Sequence, residues 1–303
     1  MPMAMAIALS VRINSESRRS MKALLLYNIK AGKGKIAKRV DRLVEIFAES
    51  GIALRPKLIE FGCNPFDGDE DVELAVVCGG DGTINYVVNM MRDKGLDPML
   101  GIIPAGTAND FAGAIGMPKD VYKAARKIAT GSERRVDCGY VNGRHFINVL
   151  SFGVLTTTSQ QTTDKEKRMV GKLTYIRVGL KDLFTMHRIH LHVKSDNEEF
   201  DTDALMFLAF IGETAGRFRL ARKAKIDDGL LDVLILEHRN IFATCWNMLR
   251  YLFGGKPKAV RYIQTTTLEV AATSKERTDV DGQAGPDFPM DVKCSMGSIK
   301  VRC

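Results

Sequence analysis

The sequence predicts an α/β domain followed by a mainly antiparallel β domain, and three observations carry that reading. Between Met21 and about Arg126, short apolar runs alternate with segments of helical period. That alternation is the mark of a parallel sheet with helices on both faces, a three-layer arrangement. After Gly131, strand-like runs follow one another with only two helical interruptions. The glycine-bearing loops of the first half all fall at strand ends, where open α/β sheets bind ligands.

The elements follow in order. KALLLYN is a continuous apolar strand that runs into AGKGK. Ile36, Val40, Leu43, Val44 and Phe47 then recur at helical spacing, and Gly51 suits the helix end. IALRPKLIEF reads as the second strand, and CNPFDGDED as an acidic, turn-rich loop. VELAVVC is the third strand. Ile84, Val87, Val88 and Met91 place a helix after it, ending near Gly95. MLGIIP is the fourth strand, and DVYKAARKIATG is helical. Beyond Gly131, Asn142-Gly143 predicts a tight hairpin turn. RIHLHVKSD, ALMFLAFIG, LLDVLILEH, TTLEVAAT, PMDVKCSM and SIKVRC read as further strands, with helices near Lys172–Phe184 and Asn240–Phe253. The expected division is a disordered leader over 1–20, a first domain over 21–133 and a second over 134–303. The last strand either stays in the second domain or returns to the first.

Composition bounds the class. A chain of 303 residues that is 45% hydrophobic and 26% charged folds and buries a large core. None of its six cysteines forms a C-x-x-C pair, and no histidine cluster completes a zinc set, so reduced thiols and a cytoplasmic setting are expected. No apolar run reaches the length of a membrane-spanning helix. The net charge of +8 suits nucleic acid, an anionic membrane surface or a phosphorylated substrate, and equally plain solubility. Without a nucleic-acid motif, nucleic acid is not an expected partner.

The chemistry sits in two loops. Gly79-Gly80-Asp81-Gly82-Thr83 joins the third strand to a helix, the place where backbone N–H groups and the helix dipole favour phosphate. Alone, it also fits a plain turn with Asp81 as helix cap. Pro104-Ala105-Gly106-Thr107-Ala108-Asn109-Asp110 repeats glycine, hydroxyl, amide and carboxylate at the end of the neighbouring strand. Two such loops side by side are hard to explain as turns. Neither is a P-loop or a dinucleotide fingerprint.

GGDGTINYVVN followed by LGIIPAGTANDFA, then VDCG, NGRHFIN, AKIDDGLLDVLIL and VDGQAG, resembles the diacylglycerol kinase catalytic family of bacterial lipid kinases, from Met21 to the C-terminus. Sphingosine and ceramide kinases are wider relatives, and NAD kinase a distant one. The resemblance implies a C-terminal β-sandwich and an active site in the interdomain cleft. It implies transfer of the γ-phosphate of ATP, with Mg²⁺, to a lipid hydroxyl, first of all that of diacylglycerol. Other lipids, or a regulator without turnover, are the alternatives.

The resemblance also assigns roles. Gly79, Gly80, Gly82 and Thr83 line the nucleotide phosphates, joined by Gly106, Thr107 and Asn109, and by Asn28 and Gly32 from the first loop. Asp81 organises the Mg·ATP end, with Asp110 and Asp137 in a supporting acidic network. A structural Mg²⁺ is held by Asp228 and by the carbonyls of Lys225 and Leu230, oxygen donors that suit a hard cation. Asp281 is the general base. Two departures stand out. Gln283 replaces the glutamate of the usual D-G-E, and Asn28-Ile29-Lys30-Ala31-Gly32 lacks the proline and serine of N-P-x-S-G.

The lipid places the enzyme at the inner face of the membrane, peripherally. Arg217, Arg219, Arg222, Lys223 and Lys225 around Phe218 and Leu220 suit an anionic surface. Phe242, Trp246, Leu249 and Phe253 share a helical spacing that fits an interfacial helix or, preferably, a core helix. The sequence leaves room for a homodimer.

Overall fold

The computed structural model describes residues 21–29, 31–153, 188–216, 218–238, 241–252, 254–255, 257–274 and 276–303. The expected leader and the expected helix near Lys172–Phe184 lie outside them, as does Arg217.

The first domain is the expected α/β unit. Strands β1 (Ala23–Tyr27), β2 (Leu54–Leu58), β3 (Leu74–Gly79) and β4 (Met99–Pro104) are parallel, in the order β2-β1-β3-β4. β3 is buried along its whole length, as a central strand covered on both faces must be. β2 is the edge, and its Pro56 and exposed Arg55 blunt it against further pairing. The helices are α1 (Ala31–Gly34), α2 (Val40–Ala48), α3 (Asp81–Asp93), α4 (Asp110–Ala114) and α5 (Val121–Thr130), with a short 3₁₀ turn over Ala37–Arg39. α2 buries Val40, Leu43, Ile46 and Phe47, one stripe at helical spacing. Asp120 caps α5, accepting from the N–H groups of Tyr122 (3.1 Å) and Lys123 (2.8 Å).

The second domain is mainly antiparallel. It contains β5 (Glu133–Val141), β6 (Arg144–Phe146), β7 (Val149–Gly153), β8 (Ile189–Ser195), β9 (Glu199–Phe210), β10 (Thr214–Ala215), β11 (Phe218–Arg219) and β12 (Leu231–Glu237). Helix α6 (Ile241–Leu252) precedes β13 (Val260–Thr265), β14 (Thr267–Ala272), β15 (Thr278–Val280), β16 (Gln283–Ala284) and β17 (Met290–Arg302). The Asn142-Gly143 turn forms as expected. Val141 pairs with Arg144, and the two turn residues have φ of 42° and 89°.

The C-terminal strand touches both halves of the chain. PMDVKCSM and SIKVRC are not two strands but the single strand β17, irregular between Ser295 and Ile299. β17 runs antiparallel to β14 and β5, and Val301 pairs in parallel with Leu100 of β4. One sheet therefore passes through both domains. Arg302 pins the join, with Nε donating to the Ile128 carbonyl at 2.9 Å and Nη2 to that of Ala129 at 3.2 Å.

Alternate residues of β9 serve two cores. Phe207 and Ala209, with Ile211 just past the strand, join the main core, while Met206, Leu208 and Phe210 pack with Leu220, Ala221 and Tyr251 of α6 on the other face. α6 forms where expected, but the core reading of Trp246 is corrected. Its side chain is 68% exposed, because Thr244 and Tyr251 hold the buried face. No helix among the described residues is long and apolar enough to cross a membrane.

Candidate active site

Three loops meet at the C-terminal ends of β1, β3 and β4, as the sequence predicts. The Gly32 N–H donates to the Ala105 carbonyl at 2.8 Å, and the Ala105 N–H to that of Gly79 at 2.8 Å. The glycines also let the two loops pack together. A Cβ on Gly106 would stand 2.4 Å from the Gly80 Cα, and one on Gly80 would stand 2.9 Å from the Gly106 Cα. Backbone packs on backbone there, so neither position has room for a side chain.

The individual residues divide by what they touch. Gly106 and Thr107 are exposed at the loop tip. Asn109 takes a left-handed conformation (φ 55°) and closes its own loop, its Oδ1 accepting from the Gly106 N–H at 2.7 Å. It shapes the turn. Thr83 is buried behind Gly79, and its N–H donates to the Gly80 carbonyl at 2.9 Å. Asp110 is buried at the start of α4.

Asp81 is not a helix cap. Gly80 occupies the cap position of α3 and Asp81 is the first helical residue, without a side-chain capping bond. Its Oδ1 instead accepts from the Phe111 N–H at 3.0 Å and from Asn148 Nδ2 at 3.3 Å. The first contact ties it to the second loop, the second to the other domain.

Asp281 arrives from that domain on a hairpin. β15 and β16 pair through Val280 and Gln283, and Asp281-Gly282 is the turn, with φ of 50° and 85°. Asp279 steadies it, its Oδ1 accepting from the Gly282 N–H at 2.7 Å. The Asp281 carboxylate accepts four N–H groups. Asn148 N (2.9 Å) and Val149 N (2.9 Å) reach Oδ1, while Ile147 N (2.7 Å) and Asn85 Nδ2 (2.8 Å) reach Oδ2. Burial pushes this carboxyl up to about 6, with the nearby Asp81 adding to the rise and the three backbone donors opposing it.

Neither Asn85 nor Asn148 stands out as a site residue in the sequence, although one signal is present. Asp81, Asn85 and Asn89 recur every fourth residue, a polar stripe on a helix whose neighbours are apolar. Asn85 is 1% exposed, so that stripe has to face polar partners. It does so on β6. Asn89 Oδ1 accepts from the His145 N–H at 2.9 Å, and Asn85 Nδ2 donates to the His145 carbonyl at 2.9 Å. Gln283 lies near Gly82 and accepts from Arg144 Nη2 at 2.6 Å, while Arg144 Nη1 donates to the Ala284 carbonyl at 2.5 Å.

The segment around Asp228 forms a second acidic group. Asp137 is fully buried, and its two oxygens take the N–H groups of Gly297 and Gly229, each at 2.7 Å. It braces this loop from β5. Asp228 Oδ1 accepts from the Leu230 N–H at 3.1 Å. Burial raises the Asp228 carboxyl, and Asp137 adds to the rise. Asp232 is 0% exposed; its Oδ1 accepts from the Tyr262 hydroxyl at 2.6 Å, and its Oδ2 has no hydrogen-bond partner among the described residues. Beyond burial, Asp137 lies close enough to raise the Asp228 carboxyl and Asp228 close enough to raise that of Asp232, and oxygen donors of this kind suit a hard cation. Among the described residues no group of three or more His, Cys, Asp or Glu could hold a metal, so such a site depends on the main-chain carbonyls of Lys225 and Leu230.

The basic segment before this loop is less open than its sequence suggests. Arg219 pairs with Glu213 at 2.8 Å. Arg222 stacks over Tyr251 at 5.5 Å and Lys223 over Tyr262 at 5.4 Å.

A glycine-loop α/β domain joined through a shared sheet to a mainly antiparallel β domain is the class this geometry defines. Comparison with known proteins gives the family. Residues 22–141 match the diacylglycerol kinase catalytic domain, and residues 148–303 match the YegS C-terminal NAD kinase beta sandwich-like domain. The chain belongs to the diacylglycerol kinase family of lipid kinases, which implies use of ATP. It is 32% identical to a diacylglycerol kinase of Staphylococcus epidermidis, over 88% of this chain and 87% of the relative. It is 29% identical to a diacylglycerol kinase of Bacillus subtilis, over 88% and 91%. A diacylglycerol kinase structure from Bacillus anthracis Sterne superposes with a TM-score of 0.73, at 22% identity, over 93% of this chain and 97% of that one. A further structure from that strain reaches a TM-score of 0.80 at 24% identity, over 95% and 97%. At such identity the structures speak for the fold.

Proposed function

We propose that this protein transfers the γ-phosphoryl group of ATP to the hydroxyl of a membrane lipid, with diacylglycerol as the acceptor and phosphatidic acid as the product. The observation that carries the reading is the meeting of three glycine-bearing loops with two carboxylates, Asp81 and Asp281, supplied by different domains. Phosphoryl transfer needs positioning and charge neutralisation more than covalent chemistry. The loops supply backbone approach for the phosphates, and the N-terminus of α3 adds a favourable dipole.

Mg²⁺ bound with ATP would offset the phosphate charge beside Asp81. A second Mg²⁺, held by Asp228 and the carbonyls of Lys225 and Leu230, would stiffen the loop that Asp137 braces. Asp281 belongs to the transfer site, where the resemblance makes it the base. The lipid is met at an anionic membrane surface on the cytoplasmic side. Exposed Trp246 and exposed Arg250, one turn apart on α6, are suited to that contact. A homodimer is compatible with this reading.

The test is transfer of labelled γ-phosphate from ATP to a lipid extract in the presence of Mg²⁺. Labelled phosphatidic acid is the expected product. A different labelled lipid would keep the chemistry and change the acceptor. No labelled lipid from folded, ATP-binding protein would replace the kinase reading with that of a regulator.

A further inference from the structure

Asp281 has been placed at the transfer site, but its hydrogen bonds suit another task than taking a proton. A carboxylate offers about four acceptor positions. All four are in use here, two on each oxygen, at 2.7 to 2.9 Å. Three of the donors are the consecutive backbone N–H groups of residues 147, 148 and 149, a concave anion-holding turn. To accept a proton, either oxygen must give up a bond of the charge-assisted kind. Asp81 differs. Its Oδ1 is bonded twice, and its Oδ2 takes no hydrogen bond from a described residue.

The contacts also run in series. Asp281 fixes the backbone of Asn148, and the side chain of Asn148 reaches Asp81 at 3.3 Å. On the other side, Asp281 holds Asn85, which lies one turn beyond Asp81 on α3. One carboxylate thus grips the second domain by three backbone groups and the first by one side chain. Both routes end on the helix that carries Asp81.

We propose that Asp281 is a positioning residue: it clasps the 147–149 turn and Asn85 together and, through Asn148, sets Asp81 against the phosphate loops, rather than accepting the proton of the lipid hydroxyl. This rests on the kinase reading above. It assigns to Asn148 and Asn85 a part in turnover that neither residue type suggests alone.

The test compares Asp281→Asn, Asn148→Ala and the double variant in full-length protein, with ATP and dioleoylglycerol in mixed micelles. If the contacts act in series, Asn148→Ala lowers kcat about tenfold, roughly the loss of one hydrogen bond to a charged group, and leaves the KM for ATP near its original value. The double variant is then no slower than Asp281→Asn. Losses that multiply in the double variant would overturn the proposal and return the proton-accepting role to Asp281. Asn85→Ala, which removes the bond to Asp281 together with that to the His145 carbonyl, serves if Asp281→Asn does not fold. It too should lower kcat about tenfold, and unchanged turnover would count against the clasp. Amide hydrogen exchange at residues 147–149 needs no substrate. Faster exchange in Asp281→Asn is expected whatever lipid is used, and unchanged exchange would overturn the clasp even in an active kinase. Accelerated exchange in a protein that phosphorylates no lipid would sink the function while sparing the clasp.

Discussion

In the first domain each functional loop leaves the end of a parallel strand and closes within a few residues, as Asn109 does on Gly106 three positions earlier. In the second domain Asp281 reaches the cleft on a hairpin tip, and its backbone partners lie 132 to 134 positions away in the chain. The glycine loops are made by local chemistry on a rigid sheet edge. The second half of the site is completed by long-range bonds to a hairpin tip. The first domain should therefore fail by local steric insults, and the second by loss of long-range bonds.

The largest effect expected is steric. Gly106→Ala places a methyl carbon 2.4 Å from the Gly80 Cα, a distance that no side-chain rotation can relieve. The two loops must separate, and ATP-dependent turnover should fall at least about a hundredfold, since small misplacement of positioning groups costs that much. Gly113→Ala is the control. Nothing lies within 4 Å of the added carbon and the residue is within helix α4, so activity should stay unchanged and stability hold or rise. Equal loss in both variants would show that the loop contact is not special.

In the second domain the counterpart is Asp228. If its loop binds Mg²⁺, the unaltered protein melts higher when Mg²⁺ is added, by about 5 °C for binding at roughly a hundredfold excess over Kd. Asp228→Ala should abolish that shift while leaving the ATP loops intact. A shift that survives the substitution places the cation elsewhere.

This contrast also explains what was legible in the sequence. Strand-helix alternation, the two glycine loops and the Asn142-Gly143 hairpin are local signals, and the structure carries all of them. Asp281-Gly282 carries the same kind of turn signal, yet it was read only as a motif, because β15 and β16 are too short to show alternation. The bulge in β17 made one strand look like two. Trp246 departs from its expected core position because helical spacing reports a face and does not say which face is covered. Asn85 is silent in the sequence because a buried asparagine makes sense only with its partner, 196 residues later.

A smaller effect should come from pH. The Asp281 carboxyl is raised to about 6, chiefly by burial. Protonated, it loses acceptor capacity, and at least one of its four N–H donors is left unpaired. Turnover should therefore fall as pH drops through about 6 and level off above it, while ATP binding to the first-domain loops changes less. A rate that is flat between about pH 5 and pH 8 would mean that the ionised form is not required.

The smallest effect expected is at the lip of the cleft. Gln283 offers Arg144 a neutral oxygen at 2.6 Å, and no described carboxylate pairs with that guanidinium. Gln283→Glu supplies the missing charge in nearly the same shape. Because Gln283 is exposed, the new ion pair should add no more than about 1 kcal/mol, a rise of a few degrees in melting temperature that fades with salt. The substitution also places a negative charge near Gly82, at the end of α3 where phosphate is expected. The KM for ATP should rise slightly as stability rises, and the two readouts should move in opposite senses. A gain in both would mean that this hairpin meets the first domain only as a structural partner, and that the phosphates lie further from Gly82 than the loop geometry implies.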